Sequence, residues 1–181
     1  MKEKNAQVWI ETVLYTLIGL ALIGLSLAFI TPRINESKDR ALIEQTISSL
    51  NSFDEKINVV LDGGPANVRY LDFTMKRGEL NIDGENDKII FVIKDVTKPY
   101  TEPGKDVSVS GRINARTEKD QKGHSINLTM SYNNIADIEY NEQDEIEKIT
   151  AAAVPYKFEI SNKGSNNDAN NPQIRINILA R

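Results

Sequence analysis

The chain has 181 residues, 40% of them hydrophobic and 27% charged, with a formal net charge of −4 and no cysteine. That length accommodates one domain plus an anchor. The missing cysteines exclude disulfides, thiolate metal sites and cysteine nucleophiles, and the lack of any strongly basic stretch argues against nucleic acid as a partner.

The apolar residues are unevenly placed. Residues 12–32 carry no charge, whereas the chain after Arg33 is rich in Asp, Glu, Asn and Lys, so the two parts are expected to meet different solvents. Residues 13–30 read VLYTLIGLALIGLSLAFI; with the uncharged flanks they predict a helix of about 30 Å, enough to cross a bilayer core. The competing reading, a buried helix of a soluble protein, needs protein on every side of a segment with no polar face, and too little chain remains to supply it. Membrane insertion leaves three fates: an uncleaved anchor, a secretory signal cut after the apolar run, or a signal cut before it. Ser26-Leu27-Ala28 offers small residues for the second, with a product starting near Phe29. Glu11 bears on the third, because it lies inside an apolar stretch that already begins at Val8-Trp9-Ile10. An acidic residue at mid-membrane costs about 2.5 to 3.5 kcal/mol, and less near the interface. Glu11 either points to the headgroups from the first helical turn, favoured by the helix dipole, or has a specific partner.

What precedes Glu11 is Lys2-Glu3-Lys4-Asn5-Ala6, followed by Gln7-Val8-Trp9-Ile10. A short charged leader, a small residue, a Gln and then a Glu four positions on, running into a hydrophobic helix, resembles type IV pilin-like precursors with an archaeal class III type signal sequence. Leaders of that kind often place Lys or Arg and then Gly before the cut, where this chain has Asn5 and Ala6. The resemblance implies that a prepilin peptidase cuts between Ala6 and Gln7 on the cytoplasmic side, leaving the helix on the mature subunit. Residues 1–6 would then be a leader peptide and 7–32 the transmembrane helix. It also implies that Glu11 registers the subunit against its neighbours by pairing with the new α-amino group of Gln7, whose ordinary pKa is about 8. The two charges would attract far more strongly in a water-poor helix bundle than in water. Lys2 and Lys4 before the span are matched by Arg33, Lys38 and Arg40 after it, so the positive-inside count does not decide orientation. The resemblance places the N-terminus in the cytoplasm and the C-terminal domain outside. Two glycosylation sequons, at Asn35 and Asn127, agree with that placement.

Beyond Pro32, the residues Ile43, Ile47, Leu50, Phe53, Ile57 and Val60 recur at spacings of four and three, the stripe of an amphipathic stalk helix over 33–62. Pro32 removes a backbone donor, which predicts one long bent helix or two in series. Asp62-Gly63-Gly64-Pro65 should end it. Within the membrane part, Gly24 and Ala28 form a small-xxx-small pair.

From residue 66 to 181 the period changes to two and a β-rich domain is expected. Strand candidates are 68–73, 80–82, 88–93, 107–116, 125–132, 135–140, 149–154, 156–161 and 174–179. Turns are expected at Gly84-Glu85-Asn86-Asp87 and Gln121-Lys122-Gly123, and a polar loop over 162–172. The fold class predicted is α+β, one long N-terminal helix followed by an antiparallel β-sandwich-like domain; the resemblance implies an immunoglobulin-like form.

The sequence offers little chemistry. His124 is the only histidine and is expected at the surface; a zinc site would need three carboxylates beside it, and no G-x-S-x-G context is present. The acidic stretches 141–147 and 83–87 lack EF-hand spacing and are expected to be solvated loops. No cofactor, metal or catalytic activity is expected. Three roles follow: a structural subunit of a type IV pilus-like surface filament or pseudopilus, whose partners are membrane lipid, prepilin peptidase and other pilin-like subunits; a single-pass anchored binding or adhesion module that does not polymerise; or a secreted protein released near Phe29.

Overall fold

A computed structural model describes residues 2–165 and 171–180, with side chains over 8–165 and 171–179. The chain divides into two compact units, Met1–Lys38 and Asp39–Arg181. A single helix, α1 (Lys2–Asp62), includes Pro32 within its length. Of the two forms expected for this region, two helices in series is therefore not the one adopted.

The second unit holds ten strands: β1 (Val68–Phe73), β2 (Glu79–Asp83), β3 (Lys88–Val96), β4 (Asp106–Ser110), β5 (Ile113–Asp120), β6 (Gly123–Ser131), β7 (Asp137–Tyr140), β8 (Ile146–Thr150), β9 (Tyr156–Ser165) and β10 (Pro172–Ala180). They form a four-stranded sheet, β1-β9-β10-β7, and a six-stranded sheet, β4-β5-β6-β3-β2-β8. The fold is α+β and rich in antiparallel pairing, as its alternating pattern predicts, with one parallel pair, β7 with β10. Alternation works as expected for half-buried strands: Ile89, Phe91 and Ile93 of β3 and Ile126, Leu128 and Met130 of β6 face inward and are buried.

The stripe of α1 completes this core. Ile43, Leu50, Phe53, Ile57 and Val60 are buried, while Ile47 is only half-buried; Thr46, also buried, occupies the stripe position between Ile43 and Leu50. Asp39 stands four residues before Ile43 and is buried too, so the stripe runs 39, 43, 46, 50, 53, 57, 60. The Phe53 ring lies 5.8 Å from that of Phe73 on β1 and 5.3 Å from Phe158 on β9, and Phe73 reaches Phe91 on β3 at 6.3 Å. These edge and tilted contacts tie the helix to both sheets in one core. An immunoglobulin sandwich packs sheet directly on sheet; here a helix contributes to the core and the sheets have four and six strands.

The helix ends as Gly63 and Gly64 predict. Gly64 has φ +74°, and a β-carbon on Gly63 would overlap the Asn67 side chain. Buried Asn162 of β9 closes the end, its Nδ2 donating to the Val60 carbonyl at 3.3 Å. Several strand boundaries differ from the sequence reading: β3 and β5 run on to Val96 and Asp120, and β9 runs on to Ser165, so 162–165 belongs to a strand and not to the polar loop expected over 162–172. The run 107–116 is broken at Gly111, whose φ of +50° makes the β4–β5 turn. Antiparallel pairing with β2 draws Ile146 and Glu147 into β8 and leaves 151–154 outside, next to Pro155; the residue before a proline is restricted and the run stops short of it. Tyr132 to Ala136 forms a turn, Ala136 N donating to Tyr132 O at 3.0 Å, so β7 starts only at Asp137.

Candidate functional site

The apolar part of α1 is the segment whose chemistry the rest of the protein does not explain. It is long and apolar enough to cross a membrane, and none of its most apolar stretch is buried. Trp9 is 69% exposed, Leu20 66% and Phe29 78%. The fully polar backbone of such a segment is satisfied by the helix itself, and its hydroxyls follow the same rule. Thr12 donates to Val8 O at 2.9 Å, Thr16 to Thr12 O at 2.7 Å, Ser26 to Leu22 O at 2.8 Å and Thr31 to Leu27 O at 2.7 Å. Each is a bond to the preceding turn, which hides a polar group without any outside partner. Pro32 has no N–H, so the Ala28 carbonyl one turn back receives no backbone bond from it. Charge resumes at Arg33, whose guanidinium lies 3.6 Å from Glu36.

Glu11 is exposed on this helix, between exposed Trp9 and Tyr15, at the edge of the uncharged segment 12–32. An added β-carbon at Gly19 or Gly24 would meet nothing within 4 Å, so the helix surface there is open to close approach. Ala6 and Gln7 lie within the α1 backbone, but their side chains are outside the described residues.

The striped part of α1 is held to the β domain by two polar clusters that sequence patterning missed. Asp39 accepts bonds from the Thr97 N–H at 2.8 Å, the Thr97 hydroxyl at 2.7 Å and Arg77 at 2.8 Å. Burial raises its pKa, but the Thr97 bonds and Arg77 together outweigh that and hold the carboxyl below its ordinary value. One and a half turns of helix farther on than Thr46, Asn51 Nδ2 donates to the Ser110 hydroxyl at 2.9 Å, and Asp54 accepts from Arg112 Nε at 3.0 Å and Tyr132 OH at 2.8 Å. Arg112 also stacks 4.9 Å from the Tyr132 ring centre. Burial, then the Asp54 charge, push the Tyr132 phenol far above its usual range, so it remains a donor at any working pH. The one signal in the sequence was the position of Asp39, in phase with the apolar stripe; the partners from strands and turns carried none.

The other predicted residues are scattered. Asn35 is exposed on α1, whereas Asn127 is half-buried at the centre of β6, opposite Val92 of β3 and Arg116 of β5. His124 is the second residue of β6, opposite Val96 and Lys119, and its Nδ1 is buried without a hydrogen-bond partner. This half-buried placement replaces the surface position expected of it. Residues 141–145 form an exposed turn, as expected, with Ile146 and Glu147 taken into β8, whereas the 83–87 stretch is held by specific hydrogen bonds. Asp83 caps the β2–β3 turn by accepting from Asn86 N at 3.0 Å, and Asp87 accepts from Ile138 N at 2.9 Å. Glu139 and Glu142 clasp Arg175 of β10 at 3.0 and 2.6 Å. Asp137 is raised above its ordinary value by burial and then by Asp87, Asp144 and Glu139. Among the described residues no group of three or more His, Asp or Glu is placed to hold a metal ion. No family model, curated protein or solved structure matches the chain.

Proposed function

We propose that the chain is a structural subunit of a type IV pilus-like surface filament or pseudopilus, anchored and assembled through the apolar part of α1, with the β domain outside the membrane and the N-terminus in the cytoplasm. The observation that carries this reading is the uncovered, uncharged segment 12–32 with one carboxylate, Glu11, at its N-terminal edge. The hydroxyls within that segment bond to their own helix, which suits hydrocarbon as well as the interior of a helix bundle. In either setting Glu11 gains most from a cation brought to it, and cleavage between Ala6 and Gln7 creates one a helical turn away. Prepilin peptidase and other pilin-like subunits are the partners this reading requires. It assigns no catalysis to the chain.

The test is mass spectrometry of the mature N-terminus, on protein extracted from membranes that contain a matching peptidase. A start at Gln7 is expected. A start at Met1 supports a plain tethered binding module, and one at Phe29 a secreted protein. Glu11→Gln should abolish incorporation into assemblies while membrane insertion persists; normal incorporation of this variant removes the registry role.

A further inference from the structure

The two sheets part along one seam, and the residues there are arranged for recognition. A cleft of about 420 Å³, a volume within the range of binding pockets, is lined by Tyr140, Glu147, Lys148, Ile149, Tyr156, Ile178 and Leu179. Its walls are two strands with a partner on one side only. β8 is the last strand of its sheet, bonded to β2 alone. β10 loses its outer neighbour after Ile176, where the β7 pairing stops at Tyr140, while β9 continues beside it to Ala180. Both walls therefore present backbone edges that an extended chain can pair with.

Glu147 is the carboxylate that lines the cleft. It stands opposite Ile82 and two residues from buried Ile149, so it occupies an inner-face position of β8, yet it is exposed because the seam is open. Its neighbour Lys148 also lines the cleft, but its Nζ is tied to Glu79 at 2.8 Å, which offsets its charge. Among the described residues no Lys or Arg pairs with Glu147, and the preceding exposed stretch adds Asp144 and Glu145, while Glu142 is paired with Arg175. Glu147 shares the cleft wall with the Tyr140 and Tyr156 rings, and burial and then its charge raise the Tyr140 phenol above its ordinary value. Ile178 and exposed Leu179 supply the cleft's apolar part beside Ile149.

We propose that this seam binds an extended segment of a partner protein that carries Lys or Arg among apolar residues. The segment pairs with the free edge of β8, an aliphatic Lys or Arg stem lies over Ile149, Ile178 and Leu179, and its charged head meets Glu147 against the Tyr140 ring. The opposing account is that Glu147 is an inward charge whose work is to repel other strands from an edge. The two accounts predict opposite effects of removing it. The inference does not depend on the filament reading, and it is tested on the dispersed full chain.

The full chain in detergent micelles is titrated with a fluorescein-labelled seven-residue peptide alternating Val and Lys, and with its Val/Glu counterpart, with anisotropy as the readout. The Lys peptide is expected to bind, more weakly as salt is raised, and the Glu peptide not to bind. Glu147→Gln should weaken the Lys peptide at least tenfold, while Glu118→Gln on β5 leaves it unchanged. Hydrogen exchange should slow at 146–150 when the peptide is bound. Equal binding of both peptides, no binding of the Lys peptide, unchanged or tighter binding by Glu147→Gln, or protection confined to other strands each overturns the proposal.

Discussion

The two parts of α1 obey one backbone geometry and opposite side-chain rules. Before Lys38 the apolar residues go all the way round and stay uncovered, Trp9 and Phe29 among them. After it most of them keep to one stripe that is buried, with Arg40, Glu44 and Glu55 on the exposed side and Val59 exposed outside the stripe. The two parts differ both in how apolar they are and in the angular distribution of their apolar residues. A stripe matches a core on one side and water on the other, whereas an apolar surface on all sides matches only a surrounding apolar medium or other helices.

Substitutions that act on one part and spare the other would sharpen that contrast, and loss of the separation would break it. The largest effect is expected at Phe53, which touches rings from two strands. Phe53→Ala should cost the β domain about 3–5 kcal/mol, read by chemical denaturation of the full chain in micelles with near-ultraviolet circular dichroism. Leu20→Lys is the counterpart in the apolar part. It should leave that denaturation curve in place but add about 2.5–3.5 kcal/mol to membrane insertion, read as the inserted fraction in a glycosylation-mapping assay; a shift in domain unfolding instead would mean that Leu20 packs on protein. Asp54→Asn should cost about 1–3 kcal/mol, since Arg112 loses its carboxylate and the Tyr132 hydroxyl its charged acceptor.

The smallest effect concerns pH. Because the folded-state pKa of Asp39 is lowered, its contribution is present above the unfolded value of about 3.9 and is lost as pH falls through the folded value. Thermal melts of the wild type should therefore drop more steeply below pH 4 than those of Asp39→Asn, and the two curves should converge at the acid end. Parallel curves throughout would show that Asp39 contributes no proton-linked stability.

Much of this was legible because it is local. The uncharged run 12–32, the stripe from Ile43 to Val60 and the stop at Gly63-Gly64 each follow from residues close together in the chain, and the turn at 84–87 and the strands around it are equally local. What patterning missed required distant residues to meet. Asp39 reads as one more surface acid until Thr97 and Arg77 close on it. Similarly, 107–116 reads as one strand, yet Gly111 turns it back so that Ser110 and Arg112 reach α1.

The sequence alone thus determined that one long helix begins with an uncharged apolar segment and ends at a β-rich domain, because periodicity and hydropathy are properties of neighbouring residues. Tertiary structure alone decided the parallel pairing of β7 with β10, the four- and six-stranded sheets, and the seam at Glu147. Strand order depends on which edges come together over long separations, and a carboxylate on an inner face reveals its surroundings only when both sheets are in place.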